Sequence, residues 1–400
     1  MTTRVEPPPR LLGGPFAAVF AAALVFFTSA GVVLPIAPRF AEGPIGADAI
    51  GFGIAIGIWS LASLAVRPLV GWSADRYGRR PLLVIGALLT VLALALLLVA
   101  TSLPLFIGAR AVLGVAEAAF LVAALAATGD LAPPGRTGEA LSLVSLSLYI
   151  GLVIGPVIGE LVLAAAGYAG VWIVAGAFAA VAAGLAWLVP ETRPIASPTA
   201  RSGSSTAARR ARILHPAGLL PGVIILCGLW AMAAYLTFLP LHATALGLSG
   251  AGPALAVFGA VVIAVRLFGA KLPDRVGAVP LTATALGFTA VGSVIIALVG
   301  GLPGLLVGSA ILGVGVAMTM PAALTLAISR APATERGSVV GTASLFLDLA
   351  FGLAPVFLAP IAAGAGYPAI FLASSVVAVL GAALLLATRS RLIVAPQPAG

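Results

Sequence analysis

The chain has 400 residues, of which 61% are hydrophobic and only 8% are charged. About 25% of the residues in a soluble domain are charged, so the composition excludes an ordinary soluble protein. The mean hydropathy of +1.19 indicates long apolar runs rather than one apolar stripe on each element. The formal net charge of +9 is compatible with a nucleic-acid partner only if the basic residues cluster on one surface.

Long apolar runs follow one another along the whole chain. A run of about 18 or more apolar residues predicts a membrane-spanning helix. Because hydrocarbon offers no hydrogen-bond partner to the backbone, such spans must be helices. The sequence therefore predicts an all-α membrane protein with twelve transmembrane helices, at residues 14–36, 48–72, 81–100, 104–128, 139–163, 168–189, 218–240, 251–271, 279–299, 302–327, 336–361 and 366–387.

The basic residues follow the predicted topology. With a cytosolic amino terminus, Arg39 falls on the outer side and Arg110 falls within a span. Seventeen others fall in cytosolic loops or tails: Arg4, Arg10, Arg76, Arg79, Arg80, Arg136, Arg193, Arg201, Arg209, Arg210, Arg212, Lys271, Arg275, Arg330, Arg336, Arg389 and Arg391. This distribution is the positive-inside rule. It predicts that these residues orient the protein, with both termini cytosolic, and that no nucleic acid is bound.

The chain is predicted to be a duplication. Residues 190–217 are rich in Pro, Ser, Ala and Arg and divide the spans six and six, so we interpret them as a cytosolic linker. They separate a six-helix bundle at 14–189 from another at 218–388, with tails at 1–13 and 389–400. An offset of 199 residues aligns the halves, placing Val66–Arg67 on Val265–Arg266, Asp75–Arg76 on Asp274–Arg275, Gly78 on Gly277, Pro133 on Pro332, Pro156 on Pro355 and Gly167–Tyr168 on Gly366–Tyr367.

Two six-span halves related by an axis along the membrane normal are typical of transporters. In that architecture the substrate site lies between the halves near the bilayer midplane, and access alternates as one half rocks against the other. The duplication therefore predicts two pseudo-symmetric bundles and a transport function. It does not indicate a substrate.

A charged turn joins spans two and three, and it reads Gly71-Trp-Ser-Ala-Asp75-Arg76-Tyr-Gly78-Arg79-Arg80. Glycine permits a tight turn and close helix approach. Asp75 can accept hydrogen bonds at a helix N-terminus, and such a cluster can hold one of two conformations. The alternative is a simple positive-inside loop.

This turn resembles motif A of the major facilitator superfamily. The second half carries a degraded copy with Asp274, Arg275 and Gly277, in which Ala270 replaces the leading glycine. The resemblance implies a gate formed mainly by the first copy, with Asp75 facing the start of span eleven. The implied gating residues are Gly71, Asp75, Arg76, Gly78, Arg79, Arg80, Asp274 and Arg275.

The fourth span carries Arg110, Gly114 and Glu117, which share one helix face because they lie at i, i+4 and i+7. Seven residues rise about 10.5 Å, so Arg110 and Glu117 are too far apart for a simple direct ion pair. A charge at mid-span costs at least about 2.5–3.5 kcal/mol, which indicates a function. The segment resembles motif B of the same superfamily, whose intramembrane arginine is linked to proton coupling. The alternative is a structural ion pair between helices.

Asp348 is the other acid predicted to lie in mid-span, in span eleven, and its repeat equivalent is Tyr149. A carboxylate that alternates between an apolar and a guanidinium-lined environment can take up a proton on one side and release it on the other. We therefore predict Glu117 and Asp348 as protonation sites and Arg110 as the residue that tunes a carboxylate. For Asp348 the alternative is an acid that is only capped or solvated.

The fifth span carries Gly151, Gly155, Pro156 and Gly159. Small residues four apart let helices pack closely, and proline bends a span. The pattern resembles motif C, the antiporter motif of the drug/proton antiporter and arabinose-efflux-permease-like branch. Glu160 departs from it, since a second glycine is usual there.

The only lysine, Lys271, does not belong to a P-loop, and the sequence shows no Cys/His metal cluster or nucleophile elbow. We therefore expect no enzyme activity, no cofactor and no metal. The resemblance implies a monomeric secondary transporter of the bacterial cytoplasmic (inner) membrane that exports a small molecule against protons. The alternatives are a proton-coupled importer and, in another class, a membrane sensor or assembly protein that transports nothing.

Overall fold

A computed structural model describes residues 13–133, 136–192, 215–269, 276–328 and 336–389. Most of the predicted linker, as well as Lys271, Asp274 and Arg275, lies outside these residues. The described chain folds into eleven helices, which are α1 Gly14–Val33, α2 Ile36–Glu42, α3 Ala49–Tyr77, α4 Arg79–Leu98, α5 Leu103–Leu131, α6 Thr137–Trp187, α7 Pro216–Ala245, α8 Gly252–Phe268, α9 Ala278–Leu298, α10 Gly301–Ile328 and α11 Arg336–Ala387.

The helices supply the twelve predicted spans. Within the described ranges, nine helices are long and apolar enough to cross a membrane. Two of these, the apolar parts of α6 and α11, are 45 and 49 residues long, whereas about 20 residues already span 30 Å. Each of the two supplies two spans, and the shorter apolar helix α8 supplies one more. The fold is therefore an all-α membrane protein with two six-helix bundles.

Glycines with positive φ divide the two longest helices. Gly167 breaks α6 at φ 65° and ψ −168°, and Gly366 breaks α11 at φ 77° and ψ 172°. The pair is separated by the 199-residue offset, as are Gly78 and Gly277, which have φ of 107° and 87°. Residues with a Cβ rarely adopt these angles. The repeat read from the sequence is thus repeated in the backbone, down to its sharp turns.

Three helix pairs join the halves in the described part of the chain. α3 packs on α11, α6 packs on α8, and α2 packs on α7. The contact between α3 and α11 is so close that a Cβ at Gly57 would lie 2.1 Å from the carbonyl oxygen of Gly352. At the second, Gly259 accommodates the side chain of Val153, which would lie 2.4 Å from an added Cβ.

The bundle has two ends that we distinguish by the chain termini. The termini face carries the start of α1, the turn between α3 and α4, and the ends of α5, α8 and α11. The opposite face carries α2 and the bends at Gly167 and Gly366.

Polar contacts close the opposite face. Arg39 forms an ion pair with Glu160 (3.0 Å) and also donates to the carbonyl oxygen of Pro240 in the second half (3.5 Å). The hydroxyl of Tyr367 donates to Glu42 across the same face. The two halves are thus held together at this end of the cavity described next.

Candidate functional site

A cavity of about 270 Å³ lies between the two halves. It extends from the middle of the spans toward the termini face, and its walls come from α1, α3, α5, α6, α7, α8, α10 and α11. Most of the wall is apolar, with Trp59, Met232, Met320 and Phe351 among the larger side chains. Four charged residues line it within the described chain, namely Arg67, Glu117, Arg266 and Asp348.

One pair of these charges bridges the halves. Arg67 of α3 donates through Nη2 to Oδ1 of Asp348 in α11 at 2.9 Å, and only 5% of the Asp348 side chain is exposed. The second carboxylate oxygen of Asp348 and Nε of Arg67 are buried and have no hydrogen-bond partner among the described residues. Asp348, predicted as a mid-span acid, therefore lies at the interface and faces the cavity.

A second bridge is related to the first by the repeat. Arg266 of α8 donates through Nη2 to the Tyr149 hydroxyl at 2.8 Å, and its guanidinium carbon lies 3.7 Å from the centre of the tyrosine ring. The 199-residue offset carries Arg67 onto Arg266 and Tyr149 onto Asp348. Both arginines thus reach across to equivalent positions, one occupied by a carboxylate and the other by a phenol.

Arg266 therefore lacks the counter-charge that Arg67 has. No carboxylate oxygen of a described residue lies within 4.0 Å of the Arg266 guanidinium, which is the distance that defines an ion pair. Its Nε is also buried without a partner there. A charged side chain in the membrane interior costs at least about 2.5–3.5 kcal/mol, and stacking on an aromatic ring offsets only part of this, about 2 kcal/mol when desolvated.

Glu117 lies on the α5 wall of the same cavity, and it also lines a small second cavity of about 30 Å³ that contains Arg110 and Trp59. The charges of Asp348, Arg67 and Arg110 all act on its carboxylate. Arg110 and Glu117 form no direct ion pair in the described structure, in line with the rise along the helix.

Arg110 itself belongs to the packing of α5 on α3. It is buried and donates to the carbonyl oxygens of Ala55 (3.3 Å) and Ile56 (3.1 Å), with its guanidinium 5.5 Å from the Trp59 ring centre. Gly114 allows this approach, because a Cβ there would lie 2.0 Å from the Trp59 carbonyl oxygen. Any effect of Arg110 on Glu117 acts through space.

In the turn after α3, Arg79 makes most of the polar contacts. It is bonded to Asp130 (3.0 Å), to Asp75 (3.1 Å) and to the Ala74 carbonyl oxygen (2.7 Å). Glu191 accepts from the backbone N–H groups of Arg79 (2.9 Å) and Arg80 (3.3 Å). These partners all belong to the first half, so they hold the turn to the ends of α5 and α6.

In this conformation Asp75 and Gly71 do not make the contacts expected of them, and the gating role of the turn stays a prediction. The acid at the N-terminus of α4 is Glu191 and not Asp75, whose side chain is 78% exposed. Asp75 forms no ion pair or hydrogen bond with any described residue of α11. Gly71 does not mark a close helix approach either, since nothing lies within 4 Å of where its Cβ would be. Gly78 does form the tight turn, with φ 107°. The remaining cations stack on rings, Arg76 on Trp72 and Arg80 on Trp187.

The glycines of span five lie along α1. A Cβ at Gly151 would lie 2.7 Å from the Phe27 carbonyl carbon, one at Gly155 2.6 Å from the Gly31 Cα, and one at Gly159 2.5 Å from the Val32 oxygen. Pro156 is inside α6 beside them. The motif therefore brings two backbones of the first half together beside the cavity.

Gly155→Ala is expected to destabilise the protein by about 1–3 kcal/mol, because the new methyl group meets backbone that must move. The matched control is Gly176→Ala in the second part of α6, where nothing lies within 4 Å of an added Cβ. That change should be neutral or slightly stabilising. Melting temperatures of the two variants in the same detergent test this, and equal values would contradict the packing role.

The seventh span is longer than predicted. The sequence predicts its end at residue 240, whereas α7 continues to Ala245. His242 therefore lies inside α7, where it is 3% exposed and its Nε2 lies 3.3 Å from the Ile296 carbonyl oxygen.

Comparison with known proteins agrees with this fold and cavity. A family described as the Major Facilitator Superfamily matches residues 19–355 and 274–399. The chain belongs to the major facilitator superfamily. An uncharacterised MFS-type transporter of Salmonella typhimurium is 28% identical over 377 residues, covering 92% of this chain and 94% of the relative. An uncharacterised MFS-type transporter of Burkholderia mallei is 30% identical over 374 residues, covering 90% of this chain and 88% of the relative.

Solved structures show the same fold at lower identity. A bacterial homologue of the human lysosomal transporter Spinster, in an inward-facing and unoccupied conformation, superposes with a TM-score of 0.78 at 16% identity, covering 96% of this chain and 98% of that one. This chain is thus an MFS-type transporter and a multi-pass membrane protein.

Proposed function

We propose that this MFS-type transporter is a proton-coupled exporter that moves a small organic molecule across the bacterial cytoplasmic membrane by alternating access. The termini face would be cytosolic, and the chain would act as a monomer of bundles 14–189 and 218–388 joined by the linker. The observation that carries the proposal is the cavity between the halves, in which Glu117 and Asp348 lie beside guanidinium groups. Buried acids of this kind mark proton pathways in transporters.

The two acids would couple protons to the conformational change. Asp348 is ionically tied to Arg67 across the halves (2.9 Å), so a proton on Asp348 removes the charge that makes this tie strong. Glu117 lies on the first half and is acted on by the charges of Asp348 and Arg67. When the halves separate, the Arg67–Asp348 ion pair would break and the charges near Glu117 would move away from it. The affinity of these two acids for protons would therefore differ between the two conformations.

The charged turn would act as the gate. In this conformation Asp75 is exposed and pairs with Arg79 of its own turn, which Arg79 also holds in place through Asp130. The carboxylate of Asp75 would meet α11 when the termini face closes. The resemblance to motif A and the exposed carboxylate support this proposal.

Asp75→Asn is expected to slow turnover several-fold more than Asp274→Asn, because only the first copy keeps the leading glycine and the basic pair. Transport rates of the two variants at equal amounts in membranes test this asymmetry. The reverse order would contradict it.

The export direction rests on the glycine and proline pattern of span five. A substrate would first be identified by growth of cells that lack or overproduce the protein. Everted vesicles with an acidified interior then test the direction, since an exporter should accumulate that substrate inside them. Accumulation only when the outside is acidified would instead show an importer.

A proton-coupled importer is the second candidate, and the Arg67–Asp348 ion pair favours it. If Asp348 takes up a proton, Arg67 is released and can bind a negatively charged substrate. Proton and substrate would then bind together and move in the same direction.

A further inference from the structure

Two guanidinium groups, one from each half, face a single cavity. Arg67 and Arg266 are equivalent in the repeat, and both line the space between the bundles. Each has a buried Nε with no hydrogen-bond partner among the described residues. Both guanidinium groups therefore line the cavity, and neither has all of its N–H groups hydrogen-bonded by the described residues.

The two arginines differ in whether a counter-ion lies beside them. Arg67 has Asp348 as its counter-ion, whereas Arg266 meets the neutral hydroxyl and ring of Tyr149. The other acid on the wall, Glu117, forms no ion pair with Arg266 in the described structure. Arg266 is therefore the group in this cavity that an anion would compensate best, because guanidinium binds carboxylate or sulfonate oxygens through two parallel N–H groups.

The rest of the wall indicates the remainder of such a ligand. Trp59, Met232, Met320 and Phe351 offer apolar and aromatic surface, and sulfur-containing side chains adapt to ligands of different shape. A strongly polar molecule such as a sugar would find few hydrogen-bond partners here.

We infer that the cavity binds an amphipathic organic anion, with its carboxylate or sulfonate held by Arg266 and Arg67 and its apolar part against these side chains. The inference rests on the proposed role of the cavity as the transport site, in either direction. A ligand bound to arginines of both halves would contact both bodies that rock against each other. Asp348 competes with this ligand for Arg67.

The test uses the purified full chain in detergent and three probes of the same shape. These are 2-naphthoate and 2-naphthalenesulfonate, which are anions, and the uncharged 2-naphthamide. Calorimetry is expected to show that both anions bind at least about ten-fold more strongly than the amide. Equal binding of the amide, or no binding of any probe, would overturn the inference.

Variants identify the residues. Arg266→Gln and Arg67→Gln should each weaken anion binding at least about ten-fold and leave the amide unchanged. Arg389→Gln, an exposed arginine after the last span, removes the same charge outside the cavity and should have no effect. If either glutamine variant misfolds, Arg266→Lys or Arg67→Lys takes its place. Lysine keeps the charge but lacks the planar guanidinium with its parallel N–H groups, so it should still weaken anion binding. Anion affinity that stays at the wild-type value in both arginine variants would refute the assignment.

Asp348→Asn separates this inference from the proposed proton coupling. It should strengthen anion binding, because it removes the competitor for Arg67. Weaker anion binding in Asp348→Asn would contradict the competition. If anion binding changes as expected in these variants but Glu117→Gln still transports uphill, the proposed proton coupling is contradicted and the anion site is not. If Glu117→Gln loses uphill transport but anion binding does not depend on the arginines, the anion site is contradicted and the coupling is not.

Discussion

Glu117→Gln is expected to abolish substrate accumulation driven by a pH gradient in proteoliposomes, with at least about a ten-fold loss of the accumulated amount. Glutamine keeps the size of the side chain but cannot take up or release a proton. The carboxylate lies on the cavity wall under the influence of Asp348, Arg67 and Arg110, so its protonation is the event proposed to link the gradient to the two conformations.

Exchange of labelled for unlabelled substrate without a gradient is the internal control. It requires the cavity and the rocking motion but no net proton movement, so Glu117→Gln should retain it. Asp48→Asn is the matched acid-to-amide change, because Asp48 caps α3 on the opposite face by accepting from the Gly51 N–H (2.8 Å), and asparagine caps equally well. Uphill accumulation at the normal rate in Glu117→Gln would show that this acid is not required for coupling.

Gly57→Ala is expected to shift the protein away from the conformation described here. The new methyl group would lie 2.1 Å from the Gly352 carbonyl oxygen, at the contact that brings α3 and α11 together toward the opposite face. Overpacking of this kind costs about 1–3 kcal/mol, and about 1.4 kcal/mol changes a conformer ratio ten-fold. Closure of the opposite face should weaken by that amount.

Labelling of a single cysteine measures this shift. The only native cysteine, Cys227, is replaced by alanine, and Ser145 on the cavity wall becomes the reporter as Ser145→Cys. An impermeant maleimide applied to the opposite face should react faster in Gly57→Ala than in the parent. Gly71→Ala, in the same helix but with open space around it, should not increase that rate. Equal rates in all three proteins, or a general loss of melting temperature in Gly57→Ala, would argue against a conformational shift.

Much of the fold could be predicted from the sequence because membrane spans are local. Twenty apolar residues need no distant partner to become a helix in hydrocarbon, and the fixed offset revealed the duplication. The predicted breaks at 164–167 and 362–365 fall at or next to the bends at Gly167 and Gly366, although the helices continue there without a loop. Spans two and seven end later than predicted, at Tyr77 and Ala245. A positive φ at glycine redirects a chain without a loop, and composition alone does not distinguish such a bend from a loop.

The charged residues that line the candidate cavity were predicted in part, and their roles stay predictions. Glu117 and Asp348 were singled out because charge is costly in mid-span, and both line the cavity. Arg67 and Arg266 were missed as site residues, although the repeat alignment already paired them and already placed Asp348 opposite Tyr149. Neither correspondence shows that each arginine reaches the other half, because equivalence in the repeat does not say which residues of the two halves are in contact. The partners of the charged turn, Asp130 and Glu191, could not be read from its motif, since they come from other helix ends.

The sequence by itself determined the membrane location, the twelve spans, the repeat and the family, because each depends on residues near one another or on a constant spacing. Only the tertiary structure decided which charges meet. Arg67 and Asp348 are 281 positions apart, and their contact depends on how α3 and α11 pack at Gly57 and Gly352. The same packing leaves Asp75 exposed and Arg266 without a carboxylate, since a side chain's partners are set by the helix face that packing presents to it.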